Sequence, residues 1–175
     1  MKNVIVDIET DSLNPTKIHC IVAKDLETSK VEIWDHSNLD TFKPWSTNIN
    51  KFIMHNGISF DAPVLNRLLN TNIKLNQVVD TLILSQLFNP IRDGGHSLAA
   101  WGNRLGHPKW EQENFEVYNK EMLEYCKNDV NLTQVLYKKL CIEKNKFSSY
   151  SINLEHKIRA IIDQQERNGF ALDIR

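Results

Sequence analysis

Four carboxylates and a tyrosine occur in three short motifs that could together bind divalent metal ions. Asp7 and Glu9 lie in VIVDIET, Asp61 lies in HNGISFD, and Asp129 lies in YCKNDV, where Tyr125 is four residues upstream. Hard cations such as Mg²⁺ and Mn²⁺ prefer oxygen ligands. Two such ions, roughly 3.5–4 Å apart, can stabilise the attacking and leaving oxygens of an in-line displacement. The set therefore suits cleavage of a phosphodiester by two metal ions.

The first motif follows a short run of β-branched apolar residues. Residues 4–7 predict a buried strand that carries carboxylates at its C-terminal end. Because side chains alternate along a strand, Asp7 and Glu9 should project from one face while Ile8 packs into the core. Two like charges side by side repel each other unless a cation lies between them. The alternative is a polar strand end that leads into a turn at residues 10–12.

The second motif lies between a predicted strand, residues 51–55, and a predicted helix, residues 61–70. Asn56–Gly57 is a strong turn signal. Asp61 should lie in the first turn of the helix, where the helix dipole favours a carboxylate. Asp61 is therefore a helix cap, a metal ligand or both.

The third motif lies on a long predicted helix, residues 118–143, whose apolar stripe is interrupted by Asp129. Burying an unpaired carboxylate there would cost several kcal/mol unless a cation or hydrogen-bond donors compensate. Tyr125, one turn earlier, would present its hydroxyl beside the same site. The alternative places Asp129 at the edge of the helix, in contact with solvent or paired with Lys127 or Arg159.

The order of the remaining elements predicts an α/β fold, a mixed β-sheet flanked by helices. We expect strands at 3–9, 18–24, 30–35, 51–55 and, briefly, 77–79, and helices at 61–70, 81–88, 97–105, 118–143 and 152–168. The second and third strands should form a hairpin, and one helix should cross over between strands. Residues 141–151 are polar and Ser-rich, which predicts a linker before the last helix.

Taken together, D-x-E, N-x-x-x-F-D and Y-x-x-x-D resemble the signature of the DEDD exonuclease superfamily in its tyrosine form. Three flanking segments resemble the exonuclease domain of bacteriophage family A DNA polymerases. These segments are VDTLILSQL (79–87), HSLAAWGNRLG (96–106) and QQERNGFALD (164–173). The resemblance covers nearly the whole chain. It implies a ribonuclease H-like fold of the DnaQ-like exonuclease type.

The resemblance also implies roles for the residues of the three motifs. Asp7, Glu9 and Asp129 would hold one divalent ion, Mg²⁺ or Mn²⁺. Asp7 would bridge to a second ion, which Asp61 would help to hold. Tyr125 would orient the water that attacks the terminal phosphate.

Five further residues are expected to contact the substrate. They are Ile8, Thr10, Asn56, Phe60 and His96. For Phe60, burial beneath the second motif is an equal alternative. For His96, which could touch a phosphate, the alternative is an ordinary loop histidine.

The activity that the resemblance implies is metal-dependent 3′-5′ exodeoxyribonuclease activity of the proofreading type. The substrate would be the 3′ end of single-stranded or frayed DNA, and the products would be 5′-mononucleotides. Residues 1–150 would form the exonuclease domain, and residues 151–175 a helix that starts the connection to a polymerase part absent from this chain. One alternative is a 3′-5′ exoribonuclease. Another is a non-catalytic module that docks to a polymerase domain or subunit, although all four acids and the tyrosine are present.

Length and composition agree with one cytoplasmic domain. The chain has 175 residues, 41% of them hydrophobic, and a net charge of −1, which is not typical of a protein that grips long duplex DNA. No apolar run approaches the roughly 18 residues that would cross a membrane. The three cysteines lack metal-site spacing and are expected to be reduced thiols, as is usual in a cytoplasm, here that of a bacterial host. No P-loop, dinucleotide fingerprint or nucleophile elbow occurs.

Overall fold

The computed structural model describes residues 2–108, 110 and 117–171. The strands are β1 (Lys2–Thr10), β2 (Ile18–Asp25), β3 (Val31–Asp35), β4 (Ile49–Met54) and β5 (Val78–Asp80). The helices are α1 (Phe42–Ser46), α2 (Asp61–Leu68), α3 (Thr81–Phe88), α4 (Leu98–Leu105), α5 (Lys120–Glu143) and α6 (Ser149–Asn168). Single 3₁₀ turns lie at Leu39–Thr41, Leu75–Gln77 and Lys144–Lys146.

The strands form one mixed sheet in the order β3-β2-β1-β4-β5. β2 is antiparallel to both β1 and β3, so the predicted hairpin between β2 and β3 is confirmed. β4 pairs in parallel with β1, and β5 pairs in parallel with β4 after the crossover through α2. Because β1, β4 and β5 are parallel, their C-terminal ends lie at the same edge of the sheet. The expected α/β sheet flanked by helices is confirmed.

Alternation along β1 separates its core residues from its acidic residues. Ile8 belongs to the core on one face of the sheet, whereas Ile5 belongs to the cluster that contains Val130 of α5 on the other face. Asp7 and Glu9 follow Ile5 at intervals of two residues, so they share the face that α5 covers. This is the arrangement that the D-x-E spacing predicted.

Helix α1 was not predicted from the sequence. It is short and contains Pro44 within its first turn, where proline is tolerated. Its aromatic side chains pack against β3: the ring centroids of Trp34 and Phe42 are 5.0 Å apart, and those of Trp34 and Trp45 are 4.6 Å apart. Tertiary packing therefore stabilises a helix that five residues could not form alone.

The stretch expected to be a linker, residues 141–151, contains helical structure instead. α5 continues to Glu143, a 3₁₀ turn follows, and the Ser148 side chain caps α6 by accepting the N–H of Ser151. Serine is a favoured capping residue, so its enrichment marked a helix start. Residues 172–175, at the end of the expected connecting segment, lie outside the described residues.

Helix α6 is tied to the elements that carry the second motif. The buried side chain of His156 accepts the backbone N–H of Asp80 at Nε2, over 2.9 Å. Arg159 Nε donates to Ser59 Oγ over 2.8 Å. Within the described ranges, no helix has the length and apolar character to span a membrane.

Candidate functional site

A cavity of about 260 Å³ opens where β1 meets the start of α2 and the N-terminal half of α5. Its lining residues are Asp7, Ile8, Glu9, Leu13, His55, Asn56, Phe60, Asp61, Tyr125 and Asp129. The fold therefore brings all four predicted carboxylates and Tyr125 together from three distant parts of the chain. Among the residues predicted to contact substrate, Ile8, Asn56 and Phe60 also line this cavity.

Three of the four carboxylates are nearly inaccessible to solvent. The exposed fraction is 6% for Glu9, 4% for Asp61 and 2% for Asp129, while Asp7 is half-buried. Acidic side chains are almost never this buried unless they are paired or bind a metal. All four are hard oxygen donors, so the donor set fits Mg²⁺ or Mn²⁺.

Asp61 is positioned by β1 rather than used as a cap. Phe60 occupies the N-cap position of α2 and makes no side-chain capping bond. The Asp61 carboxylate accepts the backbone N–H of Ile8, and burial together with the charge of Asp7 raises its pKa well above the usual value. Two carboxylates in this position ionise together more easily when a cation lies beside them.

The turn before Asp61 is held by a buried carboxylate outside the cavity lining. Asp80 caps α3 by accepting the N–H of Leu82 at 2.9 Å. It also accepts the N–H groups of Asn56 and Ile58, each at 3.0 Å. One side chain thus fixes β5, the start of α3 and the turn that leads to Asp61. No local sequence pattern indicates the contact between Asp80 and this turn.

Backbone geometry explains the Asn-Gly pair at this turn. Asn56 has a φ of +64°, in the left-handed region that asparagine tolerates better than most residues. A Cβ atom added to Gly57 would lie 2.3 Å from Met54 Cβ. Only glycine allows the turn to pass so close to the end of β4.

His55 lines the cavity and was not among the predicted site residues. Its Nδ1 is 2.9 Å from Thr81 Oγ1, and that hydroxyl donates to the backbone oxygen of Met54. Thr81 thus connects His55 to the end of β4. The sequence signal that could have identified His55 is its position directly before the Asn-Gly turn.

Leu13 is a second lining residue that sequence reasoning missed. Its side chain is 94% exposed although it lies beside the acidic cavity. It also lines an adjoining, mostly apolar cavity of about 390 Å³ with Ile8, Thr10 and Phe60 among its walls. A leucine in the polar turn after the first motif was the signal that could have identified it.

His96 lies outside the lining of both cavities. Its Nδ1 is 2.8 Å from Ser85 Oγ, and its Nε2 is 3.3 Å from the backbone oxygen of Pro90. Ser85 Oγ also accepts the indole N–H of Trp101 over 2.9 Å. Both ring nitrogens thus contact groups in α3 and in the loop before α4, and the structure does not bring His96 together with the other predicted site residues.

Cys126 lies directly against the first motif. Its Sγ is 3.5 Å from Asp7 Oδ2, and it is completely buried. Burial, a hydrogen bond with Cys20 and the charge of Asp7 raise the pKa of the Cys126 thiol well above its usual value. Asp7, Glu9 and Cys126 each offer a ligand atom, and these atoms all lie within 4.8 Å of one another.

Known proteins share both the sequence pattern and the fold. The family model described as 3′-5′ exonuclease, of the DNA polymerase A group, matches residues 1–143. The DNA-directed DNA polymerase of Escherichia phage T7 is 29% identical to this chain, and the alignment covers 97% of this chain and 33% of that polymerase. This chain therefore spans about a third of the length of that relative.

Two solved structures show the same architecture. Brucella melitensis NrnC bound to pGG superposes with a TM-score of 0.74 and 22% identity, covering 99% of this chain and 89% of that one. The catalytic core of RRP6 from Trypanosoma brucei has a TM-score of 0.66 and 14% identity, with coverages of 93% and 46%. These likenesses confirm the expected DnaQ-like exonuclease fold. Because the family match extends over most of the sequence, this chain belongs to the 3′-5′ exonuclease family.

Proposed function

We propose that this chain removes nucleotides from the 3′ end of single-stranded or frayed DNA as 5′-mononucleotides, in a metal-dependent reaction of the proofreading type. One observation carries the proposal. Asp7, Glu9, Asp61, Tyr125 and Asp129 line a single cavity, although they come from three separate motifs. The same five residues were selected by sequence for phosphodiester cleavage.

Two divalent ions, Mg²⁺ or Mn²⁺, fit the carboxylates. Asp7, Glu9 and Asp129 would hold one ion, and Asp61 would help to hold the other, with Asp7 shared between them. When bound, such ions lower the pKa of water and neutralise charge on the leaving oxygen. The raised pKa of Asp61, caused by burial and by the nearby Asp7, supports this assignment because a cation would relieve that repulsion.

The side chains and backbone of the protein would orient the attacking water, the Asp61 carboxylate and the terminal base. Tyr125 is buried at the cavity wall with a hydroxyl able to hydrogen-bond the attacking water. The N–H of Ile8 keeps Asp61 turned toward β1. The adjoining apolar cavity, with Leu13 and Phe60 in its walls, would receive the terminal base. A splayed single strand can place its bases on such apolar surfaces, whereas a paired base in a duplex cannot leave its stack without cost.

We propose that a polymerase part binds the portion of the DNA substrate that lies outside the cavity. The net charge of −1 offers little general attraction for nucleic acid, so the chain alone should bind DNA weakly and in a salt-sensitive way. The similarity to the T7 enzyme covers a third of a DNA polymerase. We therefore propose that residues 151–175 start the connection between an exonuclease domain, residues 1–150, and a polymerase part.

RNA is the competing substrate class. NrnC, which is similar over most of its length, was solved bound to pGG, a short oligonucleotide. Matched DNA and RNA oligomers of one sequence separate the two proposals, because only RNA offers a 2′-OH to the site. Faster shortening of the DNA oligomer is expected. Faster shortening of the RNA would replace the DNA proposal by the RNA one.

A non-catalytic docking module is a proposal of another class. Calorimetric titration with Mn²⁺ tests it, because a pure scaffold has no reason to bind two divalent ions. Saturation near two ions per chain is expected. Absence of binding by a folded protein would favour the scaffold.

A further inference from the structure

Two arginines of α6 converge on Ser59, which stands two positions before Asp61 in the second motif. Arg159 Nε donates to Ser59 Oγ over 2.8 Å. Arg167 donates to the backbone oxygen of Ser59 over 3.4 Å. One helix therefore holds both the side chain and the main chain of Ser59. Because the family model ends at residue 143, its match assigns no role to this helix.

Carboxylates on α6 orient both arginines. Arg159 Nη2 is 3.0 Å from Glu166 Oε2 and 3.7 Å from Asp163 Oδ1. Arg167 Nη2 is 2.6 Å from the other oxygen of Asp163, whose side chain is only 15% exposed. These residues are three, four or seven positions apart, so they share one face of the helix. The planar guanidinium of Arg159 is thus held with its Nε directed at Ser59.

A cavity of about 300 Å³ lies between the second motif and α6. Its walls include Ile58 and Ala62 on one side, and Ala160 and Asp163 of α6 on the other. Packing across such a gap is incomplete, so it fixes the motif less firmly than a close-packed contact would. The hydrogen bonds to Ser59 connect the two elements where packing does not.

A displacement of Ser59 would reach the proposed metal ligands. Two backbone hydrogen bonds, of 3.1 and 2.9 Å, close the turn at residues 56–62 that contains both Ser59 and Asp61. Phe60, between them, and Asp61 both line the acidic cavity. Residues 56–62 therefore form one connected unit, and the position of Ser59 helps to set the direction of the Asp61 carboxylate.

We propose that Arg159 is a positioning residue of the nuclease site, which holds Ser59 and thereby directs the Asp61 carboxylate into the cavity. Exposed ion pairs contribute little to protein stability, and the side chain of Glu166 is 58% exposed. The main effect of Arg159 is therefore on geometry rather than on folding. The consequence for catalysis rests on the proposed function, whereas the ordering of the second motif does not.

Hydrogen exchange of the full chain without metal tests the ordering of the motif. Arg159→Ala should increase the exchange rate of backbone amides at residues 56–62 by at least about 10-fold. Lys157→Ala is the matched control, because Lys157 is an exposed cation on α6 whose side chain, two positions from Arg159, faces a different side. Unchanged exchange at residues 56–62, or equal acceleration in the control, would overturn the proposal.

The dependence of the cleavage rate on Mn²⁺ concentration tests the link to Asp61. A misdirected carboxylate binds its ion more weakly, so Arg159→Ala should raise the Mn²⁺ concentration for half-maximal rate by at least about 10-fold. A general loss of stability would lower the amount of active protein without changing this concentration. A half-maximal concentration equal to that of wild type would overturn the positioning role.

A double-mutant cycle tests the path through Ser59. Ser59→Ala removes the acceptor of Arg159 Nε. If Arg159 acts through this hydroxyl, the Ser59→Ala/Arg159→Ala protein should need no more Mn²⁺ than the more affected single variant. Additive effects of the two substitutions would show that they act independently, and would overturn the path.

The exchange and cleavage results separate this inference from the proposed function. Faster exchange at residues 56–62 in Arg159→Ala, with a wild-type protein that cleaves no oligonucleotide, would support the ordering by Arg159 and overturn the exonuclease proposal. Cleavage by wild type, with unchanged exchange in Arg159→Ala, would support the exonuclease proposal and overturn the positioning role.

Discussion

The carboxylate of Asp80 accepts the backbone N–H of Ile58 over 3.0 Å, across the turn that leads to the second acidic motif. The same carboxylate accepts the N–H groups of Asn56 and Leu82. Asp80 therefore connects a parallel strand end to the residue that precedes Asp61 by three positions. A residue outside the proposed metal-binding set therefore helps to determine where Asp61, one of the proposed ligands, lies.

Replacing Asp80 with alanine should destabilise the protein and lower its activity. Three backbone N–H groups would lose their acceptor, and buried unsatisfied donors cost about 1–3 kcal/mol each, so a loss of roughly 3 kcal/mol or more is expected. Urea unfolding measures it. Asp80→Asn keeps one acceptor oxygen, so its free energy of unfolding should lie between those of the alanine variant and wild type. Equal stability of all three proteins would show that the turn does not depend on this carboxylate.

Replacing Gly57 with alanine should distort the turn. The new Cβ would lie 2.3 Å from Met54 Cβ, which belongs to the end of β4 and cannot rotate away. We expect a loss of about 1–3 kcal/mol in the free energy of unfolding. Met54→Ala should not rescue the variant, because alanine keeps the colliding atom. Rescue by Met54→Ala would instead locate the collision in the outer Met54 side chain.

The stability of the metal-free protein should fall as pH rises, because of Asp61. Burial and the charge of Asp7 raise its folded-state pKa, so the folded protein binds this proton more tightly than the unfolded chain does. The contribution of this proton to the free energy of unfolding is complete below the ordinary aspartate pKa. It is lost as pH rises through the raised folded-state pKa of Asp61.

Asp61→Asn removes this titration and isolates it from other groups. In EDTA at neutral pH, the asparagine protein should melt at least about 2 °C above wild type, and the difference should shrink as pH is lowered. Mg²⁺ should stabilise wild type more than the variant. A melting difference that does not change with pH would contradict a raised pKa at Asp61.

Replacing Tyr125 with phenylalanine should reduce turnover without preventing metal binding. Loss of one positioned hydrogen-bonding group at a reacting centre costs about 10²-fold in rate. Calorimetry should give the same Mn²⁺ affinity for variant and wild type. Tyr137→Phe is the matched control, since Tyr137 lies on the same helix, partly buried, outside the cavity lining. A similar loss of rate in both variants would point to α5 packing instead.

Much of the fold follows from local patterns in the sequence. β1 was expected at 3–9 and extends over Lys2–Thr10, and α5 was expected at 118–143 and extends over Lys120–Glu143. The run of β-branched apolar residues in β1 and the helical periodicity of α5 already match their burial in the structure. Asp7 and Glu9 stand at the end of a strand, Asp61 at the start of a helix and Asp129 in an apolar stripe, and each of these positions can be recognised in the sequence.

Other features depend on contacts that local sequence does not encode. Helix α1 is stabilised by the packing of its aromatic rings against Trp34. The sulfur of Cys126 reaches Asp7 only because α5 crosses β1. Cysteine spacing along the chain could not reveal this contact, since residues on different elements can meet at any sequence separation. His96 was expected near phosphate, but Ser85 and Pro90 hold its ring.

Digestion of a 5′-labelled single-stranded DNA oligomer tests the central proposal most directly. Wild-type protein with Mg²⁺ or Mn²⁺ should produce a ladder that shortens from the 3′ end, and EDTA should abolish it. Asp7→Ala should lower the rate by at least about 10²-fold, nearly 3 kcal/mol of transition-state stabilisation. Wild-type rates in a folded Asp7→Ala protein, or cleavage that persists in EDTA, would contradict the account.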